Sequence, residues 1–357
     1  MKKIYLFTAA LALILFGAGC TKNNENRPDH GGNNQENQDP NGGNNEDPNG
    51  GNGEDPNGGN GEDPNGGNQE PEGPKVKTCD ENLVLWISFD NDNLIEKGEG
   101  VSFKENQGDA DIRTGFIGKG WTNKSGNNKT KAFSKFDVAA GSVFSKLDKV
   151  TMTAWVKETT TMDNENYKGG LFSLNGGLQT NGNPHDFPAL CVYFDNKGVA
   201  DLEDGTQVPT QQVNGRFIFH DSGGSEINLW LDTWHDAFAI YGEWFHFAVT
   251  YDKDAQVQDE ESGQMVERDQ VNLYVNGLQV AARTFDYKIP FNNLVTSATN
   301  AFYVGGWSTF IEGHSTATWQ SFWPGSMDEI RFYDKALSGD EILALYKEEL
   351  AINLEQE

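Results

Sequence analysis

From Leu83 onward, apolar residues recur at every second position in short runs broken by Gly, Asn and Asp clusters, the spacing of half-buried strands. Leu83, Leu85, Ile87 and Phe89 fall on one face of such a run, with Val84 and Trp86 on the other. Phe245, Phe247, Val249 and Tyr251 alternate in the same way, as do Val271, Leu273 and Val275. Asn276-Gly277 then offers the two positive-φ positions of a tight hairpin, and Leu278 to Ala282 returns. Val150 to Val156, Leu190 to Phe194, Arg216 to Phe219 and Phe302 to Val304 add further strands. A helical pattern comes only at the end, where Ser338 and Glu341 have capping-box spacing and Ile342, Leu345 and Tyr346 share one face. The pattern predicts an all-β protein, an antiparallel β-sandwich with a short C-terminal helix.

The first 78 residues follow other rules. Lys2 and Lys3 precede an apolar run from Ile4 to Phe16, shorter than the roughly 18–20 residues that span a bilayer, which makes it a secretory segment. Gly17-Ala18-Gly19-Cys20 resembles a bacterial lipoprotein signal, implying that residues 1–20 are a signal peptide whose Cys20 becomes the lipidated residue. Residues 21–78 are expected to be a disordered linker. Its Asp-Pro-Asn-Gly-Gly repeats return with a period of eight, at Asp39, Asp47, Asp55 and Asp63, and residues 21–74 hold no aliphatic or aromatic side chain to offset the entropy of ordering. One Asp beside a Pro in each repeat supplies too few oxygens for a calcium cage. A coil of this length spans roughly 40 Å, and its like charges extend it further. The folded domain is placed at 79–357.

Charge narrows the partners. The chain of 357 residues carries a net −27, of which residues 21–74 contribute −10 and residues 75–357 contribute −19. A field of that sign repels phosphate backbones and sulfated polymers, so nucleic acid is not an expected partner. The 3 Cys cannot build a disulfide scaffold. Export permits a Cys79–Cys191 bridge, yet Cys191 lies inside an apolar strand pattern where a buried thiol fits equally well.

Several segments carry a resemblance. Phe116-Ile117-Gly118-Lys119-Gly120, Thr151-Met152-Thr153-Ala154-Trp155-Val156, Trp244 to Asp252, Leu273-Tyr274-Val275-Asn276-Gly277 and Pro324 to Tyr333 resemble LamG-like, concanavalin A-type jelly-roll domains. The resemblance covers about 85–350. It implies the jelly-roll form of the sandwich and leaves the ligand open, since lectins, carbohydrate-binding modules, adhesive domains and glycosidases share that fold. It also implies a structural Ca²⁺ held by the Asp of the last-strand motif, Asp328, and an acid near the first strand, Asp90 with Asp92 nearby. By alternation Asp328 shares a face with Ile330 and Phe332, a poor place for a charge without a cation, a hydrogen bond or a proton.

Candidate chemistry is sparse. Retaining glucanases of this fold carry a run of acids along one strand, and none is present; Asp163-Asn164-Glu165 reads as loop and the acids of Asp252–Asp269 as a solvated insertion. His185-Asp186, His220-Asp221 and His235-Asp236 repeat one dipeptide at spacings that fit no ligand motif, and His246 reads as a structural histidine. The 9 Trp are the stronger signal. Trp86, Trp155 and Trp244 are expected in the sandwich. Trp307, Trp319 and Trp323, with His314, lie in a polar stretch, and Trp230 and Trp234 lie beside His235 and Asp236. Indoles in such company stack on sugar C–H faces while polar neighbours bond hydroxyls. The expected function is a cell-envelope lipoprotein, facing the cell surface from the outer membrane, that displays a non-catalytic binder of neutral poly- or oligosaccharides on a stalk. An adhesive or scaffold module for an envelope protein partner is the alternative, and a glycoside hydrolase is third.

Overall fold

The alternating runs build two antiparallel sheets that face each other. In the computed structural model the described residues run from 76 to 356, apart from 160–167, 177–187, 196–198, 202–206, 210–211, 221–225, 231–241, 260, 286–299 and 316. The signal segment, Cys20 and the repeats of the linker lie outside them, as do Asp163, Glu165 and the His185-Asp186 and His235-Asp236 pairs. The first sheet runs, in spatial order, through Leu278–Phe285, Met265–Val275, Phe245–Gln258, Val150–Glu158, Gly325–Tyr333, Leu83–Ile87 and Lys97–Gly98. The second runs through Glu226–Trp230, Gln212–His220, Leu190–Asp195, Lys168–Leu174, Ala301–Val304, Ala132–Val138 and Val101–Gly108. First and last strands pair, Trp86 opposite Arg331 and Ile87 opposite Ile330; the sandwich is the architecture that the alternation predicts, and its jelly-roll form the one that the resemblance implies. Asn276 (φ 48°) and Gly277 (φ 79°) make the tight hairpin between Val275 and Leu278.

Aromatic rings from both sheets meet in the core. Phe172 lies 6.1 Å from Phe247, Phe302 lies 5.8 Å from Phe332, and Phe194 packs edge-on to Phe245 at 5.5 Å. The acids of 252–269 are not a loop-like insertion. They extend the strands Phe245–Gln258 and Met265–Val275 into one long hairpin, where Arg268 holds Asp259 and Lys149 holds Asp252 and Asp254. Alternation was masked there because both faces of that hairpin end are solvated.

The helix Gly339–Gln356 starts with the predicted capping box. The Ser338 amide donates to Glu341 at 2.9 Å, and the Glu341 amide donates to the Ser338 hydroxyl at 3.3 Å. Ser338→Ala is expected to lower stability by about 1 kcal/mol, read from urea denaturation. The helix covers the outer face of the first sheet, burying Ile342 and Leu345 against Leu83, Ala248, Tyr274 and Tyr333. Further along, Ile352 meets Phe116, Ile117 and Trp155. Glu348 reaches the start of the domain, accepting from the Lys77 and Thr78 amides at 2.8 and 2.9 Å. Trp86 and Trp155 are thus packed under this helix rather than between the sheets, Trp155 buried and Trp86 half-buried. Cys79 belongs to this helical side, and Cys191 lies on the far face of the second sheet beside Tyr193 and Trp307. The two thiols are both buried and do not bridge.

Candidate functional site

The segment following Ala301–Val304 folds back over the outer face of the second sheet. A short helix, Ser308–Ile311, and the strand Gln320–Phe322, which pairs in parallel with Lys168–Leu174, lay this segment over Phe133, Cys191, Tyr193 and Tyr303. Trp307 is the segment's anchor. It is fully buried, with its ring 4.6 Å from Tyr193 and 5.2 Å from Trp319. Trp323 is fully buried too, between the sheets, against Phe194 at 4.9 Å and with its indole N–H donated to the Ser326 carbonyl at 3.2 Å. The expectation that Trp307 and Trp323 offer their rings to a sugar is therefore corrected: both are enclosed. Polar residues around them mislead because the backbone groups of this segment are bonded inside the fold, as where the Ser308 amide donates to the Ser173 hydroxyl and that hydroxyl donates to the Gly306 carbonyl.

Trp319 differs. It is half-buried, held perpendicular to Trp307, and so leaves part of its ring to solvent. The same segment carries a hydrogen-bond centre that the residue pattern did not reveal. Glu312 accepts from the Tyr303 hydroxyl at 2.8 Å and the Asn175 side-chain amide at 3.2 Å, and its other oxygen lies 3.4 Å from Nδ1 of the exposed His314. Burial, then Glu312, pushes the Tyr303 hydroxyl pKa far up, so this tyrosine is a fixed donor. Asn175 also accepts from the Asn300 and Ala301 amides, both at 3.0 Å. Trp230 closes the strand Glu226–Trp230; it pairs with Arg216, which pairs with Cys191, so these three share one row of this sheet. Trp234, His235 and Asp236 lie outside the described residues.

The acids proposed for calcium are placed by a bulge. Between Asp328 and Arg331 the ladder of the last strand shifts register, with Glu329 at φ 53°. One extra residue reverses the faces, so Asp328 lies opposite Trp155, on the helix side, and does not share the face of Ile330 and Phe332. There its Oδ2 accepts from the Phe116 and Ile117 amides, both at 2.8 Å, and its Oδ1 from the Glu329 amide at 2.8 Å. Burial and the neighbouring Glu329 push its carboxyl up, while the Ile117 and Glu329 amides pull it down. Asp90 Oδ1 accepts from the Lys119 amide at 2.7 Å, and Asp92 is exposed. This donor set does not fit a calcium shell of six to eight oxygens: the one enclosed carboxylate already faces three N–H groups, the polarity opposite to the one a cation requires.

Behind the last strand lies a second enclosed group of charges. Arg331 bonds Glu329 on its own strand and Glu349 on the helix, all three buried. The Trp86 indole donates to Glu329 at 2.9 Å and the Trp155 indole to Glu349 at 2.7 Å. His246 is buried here, with neither ring nitrogen hydrogen-bonded and Nε2 at 3.6 Å from Glu349. Enclosure makes these groups structural; none can touch a substrate.

Two packed antiparallel sheets, a bulged acidic last strand and aromatic packing on both outer faces define a lectin-like jelly roll. Residues 130–343 match the family model described as the concanavalin A-like lectin/glucanases superfamily, and the chain belongs to that superfamily. No curated protein matches it. Among solved structures it is similar to domain 4 of AbnA, a GH43 extracellular arabinanase from Geobacillus stearothermophilus in complex with arabinotriose, at 18% identity over 74% of this chain and 98% of that one, with a TM-score of 0.41. The Ruminococcus gnavus IT-sialidase CBM40 bound to α2,3-sialyllactose is 20% identical over 56% of this chain and 83% of its own, with a TM-score of 0.36. The botulinum neurotoxin serotype G binding domain is 13% identical over 74% of this chain, with a TM-score of 0.45, and the chain spans 51% of it.

Proposed function

We propose that this chain is a cell-envelope lipoprotein, anchored through Cys20 and displaying a non-catalytic carbohydrate-binding jelly roll on a flexible stalk. The lipoprotein-like segment ending in Cys20 and the repeat-rich residues 21–74 support the anchor and the stalk. The observation that carries the binding reading is Trp319: a half-buried indole fixed in orientation by buried Trp307, on the same segment that carries the Glu312 and His314 pair. A ring held in this way offers a flat apolar face at little entropic cost, and polar groups on the same segment suit hydroxyls. The acidity of residues 75–357 favours neutral glycans over uronates or sulfated chains. Non-catalysis is supported by where the enclosed acids sit, since Asp328, Glu329 and Glu349 are all 1% exposed or less.

Incubation of the purified protein with a panel of neutral insoluble and soluble polysaccharides tests the reading. Trp319→Ala is expected to weaken retention about tenfold or more while leaving the melting temperature nearly unchanged. Equal retention by wild type and variant removes Trp319 from the site. Release of reducing ends establishes a glycosidase instead, and sugar-independent capture of an envelope protein establishes the adhesive alternative.

A further inference from the structure

We infer that the turn at Gly115–Lys119 is an anion nest filled by the protein's own side chains, and that this junction stands in place of the structural calcium implied by the family resemblance. Four successive backbone amides point out of the turn. Those of Phe116 and Ile117 go to Asp328 on the last strand, that of Gly118 goes to Gln356 at the end of the helix at 3.0 Å, and that of Lys119 goes to Asp90 after the first strand. The turn closes on itself through the Gly115 amide and the Gly118 carbonyl at 3.0 Å, and Asn353 of the helix donates to the Phe116 carbonyl. Successive N–H groups that converge in this way create local positive potential, the ordinary cradle of a bound anion. Here the occupants are side-chain oxygens from three elements far apart in sequence.

The glycines follow from this crowding. Gly118 has φ +60°, and a Cβ there would lie 2.3 Å from Asp90 Oδ1; a Cβ on Gly115 would lie 2.4 Å from Asp328 Oδ2. The carboxylates come so close to the backbone that only hydrogen fits. A divalent cation at Asp328 would meet three N–H dipoles, positive end first, in a fully enclosed position. The junction therefore ties first strand, last strand and helix together without metal, and it is independent of the glycan reading.

Thermal melts of the purified chain in excess EDTA and in millimolar CaCl₂, with calorimetric titration of Ca²⁺, test this. The wild-type midpoints are expected to agree within about 1 °C with no stoichiometric heat, and Asp328→Asn is expected to lower the midpoint by about 5 °C or more in both buffers. The Asn amide would confront backbone donors, so the loss follows from geometry and not from charge alone. If Asp328→Asn does not fold, Asp90→Asn and Gly118→Ala serve, each expected to lower the midpoint equally in EDTA and in Ca²⁺. A wild-type midpoint raised by Ca²⁺, with that rise lost in Asp90→Asn, overturns the inference, as does stoichiometric Ca²⁺ binding.

Discussion

Glu349→Ala is expected to lower the unfolding free energy by about 3–5 kcal/mol, the cost of removing one partner from a buried ion pair. Glu349 is the helix's only carboxylate bonded to Arg331 among the described residues, and Arg331 is itself buried, stacked 4.7 Å over the Trp86 ring. Truncation leaves the guanidinium with Glu329 alone, orphans the Trp155 indole N–H and opens a gap beneath the helix. The triple variant Glu329→Gln, Arg331→Met, Glu349→Leu is expected to recover part of the loss, because no buried charge is then left without its partner. Urea denaturation of the three proteins checks both statements. A single variant within about 0.5 kcal/mol of wild type, on the scale of exposed pairs, would show that the helix is not held by this pair.

The second large effect is on pH dependence. Burial, and then Arg331, depress the His246 imidazole from its usual 6.5 to about 3. The folded state therefore refuses a proton that the unfolded chain accepts, and stability is full above pH 6.5 and falls as pH drops toward 3. The slope approaches about 1.4 kcal/mol for each pH unit once the unfolded imidazole is protonated, so wild type is expected to lose about 2 kcal/mol relative to His246→Gln between pH 6.5 and 4.5. Glu329 acts with the opposite sign. Its carboxyl is raised by burial to about 7, so its contribution is full below 4.5 and is lost as pH rises through 7. Comparing wild type with His246→Gln at each pH cancels the Glu329 contribution, which both proteins share. Parallel stability curves for the two proteins would show that His246 does not titrate as the enclosure requires.

The sandwich, the hairpin at Asn276-Gly277 and the capped terminal helix could be read from the chain, because period-two alternation, paired positive-φ residues and a Ser-x-x-Glu start are local signals. The face of Asp328 could not. Strict alternation puts it inward, and a one-residue bulge at Glu329 puts it under the helix. Nothing in Met327 to Tyr333 marks the bulge except two adjacent acids in an apolar strand. Trp307 and Trp323 misled for a different reason. Polar neighbours suggest exposure, whereas the Ser308 amide donates to the Ser173 hydroxyl and the Ser326 carbonyl accepts from the Trp323 indole, all around buried rings. Glu312 was missed because its partners, Tyr303 and Asn175, are brought to it only by the fold-back of the segment over the sheet.

The last strand, Gly325–Tyr333, lies in the middle of its sheet, between Val150–Glu158 and Leu83–Ile87, and the helix behind it bonds the amides of Lys77 and Thr78. Each neighbour lacks its second partner strand until the C-terminal residues are made. A nascent chain of this topology cannot close its core while its tail is still being synthesised, so it remains threadable until translation ends. Were the chain exported as proposed, such late closure would keep it fit for passage through a translocation pore.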